Sequence, residues 1–106
     1  MIAMNDAQRA IYDRLLSAAR TIGPFREDPK KTSIHLVCRT AFAGVATRKD
    51  ALLLTIKAAA DIPSARIVKR QRASSRRWHL EVRLDHPKQV DRELKSWLKA
   101  AMALSE

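Results

Sequence analysis

The residues of this chain best suited to chemistry are His35, His79 and Glu81. From Arg77 to Leu84 polar and apolar residues alternate without a break, so a β-strand here would place His79 and Glu81 on one face. Histidine with a carboxylate is the usual material of metal sites and of acid–base catalysis. If the strand that holds His35 is a neighbour, the three side chains converge on one site. Otherwise they are polar groups of an ordinary wet sheet face.

Other kinds of catalytic site are not indicated. Cys38 and His35 are an odd number of positions apart, so a strand sends their side chains to opposite faces, and Cys38 is interpreted as a buried structural thiol. Gly23 and Gly44 are the only glycines, which excludes a glycine-rich phosphate loop. No pair of carboxylates stands out. We therefore predict that the protein is not an enzyme and has no catalytic residue, bound metal or cofactor.

The chain is strongly basic, with 21 lysines and arginines against 11 acids and a formal net charge of +10. Such a surface attracts polyanions through long-range steering and counterion release. The charge is densest between Arg66 and Arg77, where six basic residues occur in twelve without an acid. Arginine forks fit phosphate oxygens, but charged edge strands also keep sheets from aggregating edge to edge. Both interpretations fit this basic run.

Nucleic acid is the first partner that these charges predict. The candidate binding residues are basic groups and polar groups of the wet strand faces: Lys30, Lys31, His35, Arg48, Lys69, Arg70, Arg72, Arg76, Arg77, His79, Glu81 and Arg83. The predicted wet face holds no Phe, Tyr or Trp on which bases could stack, so contacts with the nucleic-acid backbone should dominate. A non-enzymatic binding module for an anionic partner is the leading hypothesis.

Two other functions stay open. Val37 and Leu53 form an apolar pair on the predicted wet face, which could anchor a protein partner or a second copy of the chain as a homodimer. The third hypothesis is a small-molecule or metal-binding domain, which requires His35, His79 and Glu81 to converge.

Periodicity predicts two helices and about five strands. The predicted helices cover residues 5–22 and the segment from His86–Pro87 to about Leu104, and the predicted strands cover 32–39, 41–45, 51–57, 66–69 and 77–84. Residues 71–76 are predicted to be a polar connection. Because the connections are short, the strands should form an antiparallel meander. We predict an α+β fold with both helices packed on one sheet face and with Trp78 buried near Trp97.

The length of the chain is typical of a single domain, here residues 1–106. No apolar run is long enough to span a bilayer, so no membrane association is predicted. The N-terminus lacks the basic start and apolar core of a secretory signal. A lone cysteine forms no intrachain disulfide, which agrees with a reducing compartment. We therefore expect a cytoplasmic protein.

The order and spacing of several short motifs resemble a bacterial family catalogued as domain of unknown function 5655. The matching motifs are Lys30–Leu36, Ala41–Val45, Arg48–Lys49 before Leu52–Leu54, Trp78–His79, Glu81–Val82, Asp91 and Trp97–Leu98. The resemblance covers residues 24–105, whereas residues 1–22 match only loosely. It implies a small α+β domain that occurs alone or appended to larger proteins, some of which resemble DNA-targeting restriction systems. It implies no catalytic residue.

Overall fold

Helices begin and end the chain, and the strands lie between them. The computed structural model describes residues 2–106. Its elements are α1 (Asp6–Arg20), β1 (Arg26–Pro29), β2 (Ile34–Val37), β3 (Ala41–Arg48), β4 (Ala51–Ala58), β5 (Ile67–Ser74), β6 (Arg77–Leu84) and α2 (Arg92–Ala103). No helix in residues 2–106 combines the length and the apolar character that crossing a membrane requires.

All the strands of residues 2–106 form one antiparallel sheet in the order β1-β2-β3-β4-β6-β5. The first four strands follow one another as a meander. β5 then takes the outer edge, and β6 returns between β4 and β5. This arrangement confirms the predicted α+β class, antiparallel meander and terminal helices. The sheet has six strands rather than about five.

The two largest differences from the predicted strands both lie at sheet edges. β1 was not predicted, because Arg26, Glu27 and Asp28 show no apolar alternation. β5 continues to Ser74, through residues predicted as a polar connection, and only Ile67 of this strand is buried. An edge strand needs hydrogen bonds to one neighbour rather than a buried face, so polar residues suffice.

The core lies between one face of the sheet and the two helices. Alternate residues of β4 point into it, and Leu52, Leu54 and Ile56 are almost completely buried. Leu15 of α1 and Leu98 of α2 belong to the same buried cluster. Both helices therefore cover this face, and the opposite outer face of the sheet remains open.

A β-bulge changes the predicted exposure of Val37. The register between β2 and β3 shifts between Leu36 and Val37, so that Ala43 pairs with Leu36 but Ala41 pairs with Val37. An irregularity of this kind interrupts the simple alternation of faces. Val37 is only 6% exposed, and the predicted exposed apolar pair with Leu53 is therefore wrong.

The C-terminal helix begins later than predicted. Pro87–Gln89 forms a separate 3-10 turn capped by His86, whose ring nitrogen Nδ1 accepts a hydrogen bond from the Lys88 backbone. Asp91 is the true N-cap of α2, since its carboxylate accepts from the Leu94 backbone N–H at 3.0 Å.

Buried Gln8 joins α1 to the turn between β3 and β4. Its side-chain amide donates to the backbone carbonyls of Arg48 and Ala51, and its side-chain oxygen accepts from the Asn5 backbone N–H. We expect Gln8→Ala to lower the free energy of unfolding by about 1–2 kcal/mol, because it leaves buried polar groups unpaired. Urea denaturation measures this change. Gln71→Ala, on exposed β5, is the matched control, and an equal loss in both variants would contradict the assigned role.

Candidate nucleic-acid interface

A groove of about 380 Å³ crosses the outer face of the sheet over β2, β3 and β4. Its floor is formed by small residues, including Gly44 and Thr55, and His35 lies on one side with Lys57 and His79 on the other. A Cβ atom at Gly44 would lie 3.7 Å from the His35 ring, in ordinary van der Waals contact, so glycine leaves this space in the groove open. No carboxylate lines this groove in residues 2–106. Lys57, His35 and His79 are among the polar side chains that line it.

The sheet does not bring His35, His79 and Glu81 together. His35 pairs with Gly44 of β3, and β4 also intervenes before Glu81 is reached on β6. Three strand spacings separate the His35 and Glu81 backbones by about 14 Å. Residues 2–106 contain no cluster of three histidine, cysteine or acidic side chains that could hold a metal ion. The prediction that His35, His79 and Glu81 meet at one metal site is therefore wrong. His35 and His79 do line the same groove.

Arg66, the first cation of the basic run, is held by carboxylates from another part of the chain. Its guanidinium Nη1 lies 3.0 Å from both Asp91 Oδ1 and Glu93 Oε1, and Nη2 donates to the Gln89 carbonyl. The same group lies 5.4 Å from the centre of the Trp97 ring. Arg66 is thus a structural contact between β5 and α2.

Arg70 is also committed to the fold. Its Nε donates to Asp61 Oδ1 at 2.8 Å, and Nη2 donates to the carbonyls of Ile62 and Ser64. These bonds fix the segment that joins β4 to β5. Arg70 is therefore not a free phosphate ligand, in contrast to the prediction from the run.

Strand alternation divides the rest of the run between the two sides of the sheet. Arg72 pairs with Trp78 across the strands and lies 5.8 Å from its ring centre, on the helical side. It also donates to the carbonyls of Ser74 and Ser75 in the β5–β6 turn. Lys69 is on the outer face, where its Nζ is 3.8 Å from Glu81 Oε2.

Arg76 and Arg77, like Arg72 on the helical side, have no acidic partner within residues 2–106. Arg77 Nη1 donates only to the carbonyl of Arg76, and Arg76 is exposed in the hairpin turn. We call Lys69, Arg76 and Arg77 the hairpin rim. Arg77 has the strand parity of His79, which places the rim beside the outer groove.

The other predicted cations lie at the ends of the sheet. Lys30 Nζ lies 2.9 Å from Asp28 Oδ2, and this hydrogen bond lowers the pKa of the Asp28 carboxyl. Lys31 is exposed in the turn before β2. Arg48 donates to its neighbour's carbonyl, and Arg83 Nε lies 2.9 Å from Asp85 Oδ1. Within residues 2–106, Lys31 and Arg48 therefore form no ion pair, whereas Lys30 and Arg83 are paired.

The sequence prediction missed Lys57 and Gly44 as parts of the groove. Lys57 pairs with His79 across β4 and β6 and donates from Nζ to the hydroxyls of Thr40 and Ser105. Strand parity alone gives its outward position, but its place beside His79 depends on strand order. That order brings together residues 22 positions apart, which periodicity alone does not specify.

A family model described as a domain of unknown function, DUF5655, matches residues 3–105. The chain belongs to the DUF5655 family. The resemblance seen in residues 24–105 is thereby confirmed, and the match extends through α1, where the motifs are loose. Comparison of this DUF5655 chain with curated proteins and with solved structures gave no significant match.

Proposed function

We propose that this DUF5655 protein is a non-enzymatic binding module that holds the phosphate backbone of a nucleic acid on the outer face of its sheet. The observation that carries the proposal is the pair Arg76 and Arg77. Both lack an acidic partner within residues 2–106 and lie beside a groove without a carboxylate. A phosphate at these two arginines gains charge-assisted hydrogen bonds without breaking an existing ion pair.

The rest of the outer face supports backbone contacts rather than base reading. Lys57 continues the positive surface from the rim to the groove, where His79 adds ring nitrogens and Thr55 adds a hydroxyl on the floor. The outward positions of β4 and β6 carry no Phe, Tyr or Trp. Stacking platforms therefore do not contribute, and binding through phosphates should depend little on sequence.

The protein-interaction alternative has less support. Its predicted anchor is lost, because Val37 is buried and Leu53 is half-buried. Val68, 58% exposed on the edge strand β5, is a large hydrophobic group at the surface. It is flanked by the cation Lys69 and lies at an irregularity in the strand register, and both features discourage pairing with another strand.

We expect the protein to bind a fluorescently labelled DNA duplex with an affinity that falls steeply as salt rises. Each neutralised phosphate contributes about 0.9 to the slope of log K against log salt. The double variant Arg76→Gln/Arg77→Gln removes two phosphate contacts, so it should reduce the magnitude of this slope by about 1.8. Fluorescence anisotropy at several salt concentrations measures both the slope and the affinity.

The matched control is Lys88→Gln/Lys99→Gln, which removes the same formal charge from exposed positions outside the outer face. It should leave the salt slope close to that of the unaltered protein. Binding that ignores salt, absence of binding to duplex and single strand at low salt, or equal effects of the two double variants would refute the proposal.

A further inference from the structure

A second concave surface lies on the other side of the molecule, between the two helices. This groove of about 400 Å³ is lined by Arg14 and Ser17 of α1 and by Arg92 and Lys95 of α2. It is separated from the outer sheet face by the core, and it is therefore independent of the proposed nucleic-acid interface. Its volume is in the range of pockets that bind small ligands.

Helical spacing directs these side chains to one place. Arg14 and Ser17 are three residues apart on α1, and Arg92 and Lys95 have the same spacing on α2. Each pair therefore lies on one face of its helix, and the two faces meet across the groove. Arg92 also lies in the first turn of α2, where the positive end of the helix dipole adds to the charge.

The three cations of this groove have no acidic partner inside the fold. Within residues 2–106, Arg14, Arg92 and Lys95 form no ion pair. Asp91 also lines the groove, but its carboxylate already accepts from Arg66 Nη1 at 3.0 and 3.2 Å and from the Leu94 backbone. Cations brought together in this way repel one another, and an external anion would relieve that repulsion.

We infer that the groove between α1 and α2 binds a phosphate group, either as free phosphate or as the phosphate ester of a small molecule. Arg14 and Arg92 would bring guanidinium forks to the phosphate oxygens from opposite helices, and Lys95 would add a point charge. The Ser17 hydroxyl is exposed at the same edge and donates a further hydrogen bond.

The inference is tested by NMR titration of the ¹⁵N-labelled full chain with inorganic phosphate, adenosine 5′-monophosphate and adenosine, at constant ionic strength in sodium chloride. We expect saturable shifts of the backbone amides of Ser17, Arg92 and Lys95 with either phosphate compound and none with adenosine. Tighter binding of the monophosphate than of inorganic phosphate would assign the site to esters, and equal binding would assign it to the free ion.

The variant Arg14→Gln/Lys95→Gln should weaken phosphate binding by at least about tenfold, because two charge-assisted contacts are lost. Arg26→Gln/Arg39→Gln is the matched control, since it removes the same charge from exposed positions that line neither groove and should leave phosphate affinity unchanged. Shifts that do not saturate, shifts confined to the outer sheet face, or equal weakening by both variants would overturn the inference. If the unaltered protein binds phosphate in the groove between α1 and α2 but does not bind DNA, only the proposed nucleic-acid function is contradicted.

Discussion

Replacing Arg66 by alanine is expected to lower the free energy of unfolding by about 2 kcal/mol, whereas Arg76→Ala should change it by less than about 0.5 kcal/mol. Both arginines belong to the same basic run, but only Arg66 is bound within the fold. Its side chain is 25% exposed and contacts two carboxylates and the Gln89 carbonyl. Stacking on Trp97 adds about 0.5–1 kcal/mol.

Denaturation of the two variants by guanidinium separates the structural arginine from the free one. Arg66→Lys is a useful third variant, because lysine keeps the charge but lacks the planar fork that reaches both carboxylates and the carbonyl. It should recover only part of the lost stability. If Arg66→Ala and Arg76→Ala were equally mild, the contact of Arg66 with α2 would not stabilise the fold, and Arg66 would join the candidate binding residues.

The central strands are the part of the fold that the sequence predicts well. β4 and β6 each have one buried face, so the alternation of Leu52, Leu54 and Ile56, and of Leu80 and Val82, specifies both the strand and its orientation. Edge strands do not carry this signal. β1 and the second half of β5 are held by backbone hydrogen bonds to one neighbour, and their side chains have no periodic burial to preserve.

Position along a strand also limits the prediction for Trp78. Its predicted parity is correct, because it points to the helical side with Leu80. Trp78 lies one residue from the start of β6, however, and there the ring is only half-buried and is covered by Arg72. Alternation gives the face of a residue but not how far the helices extend over it, so the predicted full burial of Trp78 is wrong.

The candidate site was predictable in its residue types but not in its pairing. Sequence indicates a basic run and a polar strand face, and both exist. It does not show that Asp61 and Asp91 come from distant positions to neutralise Arg70 and Arg66. Nor does it give the strand order that separates His35 from Glu81. Charge density along a chain is therefore a weaker guide to a binding surface than the cations that remain unpaired after folding.

The unaltered protein should lose stability above about pH 10, by about 1.4 kcal/mol for each further pH unit, and Tyr12→Phe should abolish this part of the loss. Tyr12 is 1% exposed, and its hydroxyl donates to Glu27 Oε1 at 2.6 Å. Burial, the hydrogen bond to Glu27 and the charge of Glu27 raise the pKa of the Tyr12 phenol well above its ordinary value, against a smaller opposing effect of Arg9 and Arg20.

The direction follows from proton binding. The folded state holds the phenol proton more tightly than the unfolded chain, so the stabilisation is complete below the unfolded pKa of about 10 and declines as pH rises above it. At neutral pH, Tyr12→Phe should cost about 1 kcal/mol through the lost hydrogen bond. The two stability curves should therefore cross near about pH 11, above which the variant is the more stable protein.

Urea denaturation of both proteins between pH 7 and pH 12 measures the two curves. The difference between them isolates Tyr12, because every other titrating group is shared. Cys38, whose thiol pKa is also raised by burial and by the charge of Glu106, contributes equally to both and cancels. Parallel curves across this range would show that Tyr12 is not a buried proton donor to Glu27. The contact of α1 with β1 through this hydrogen bond would then be absent.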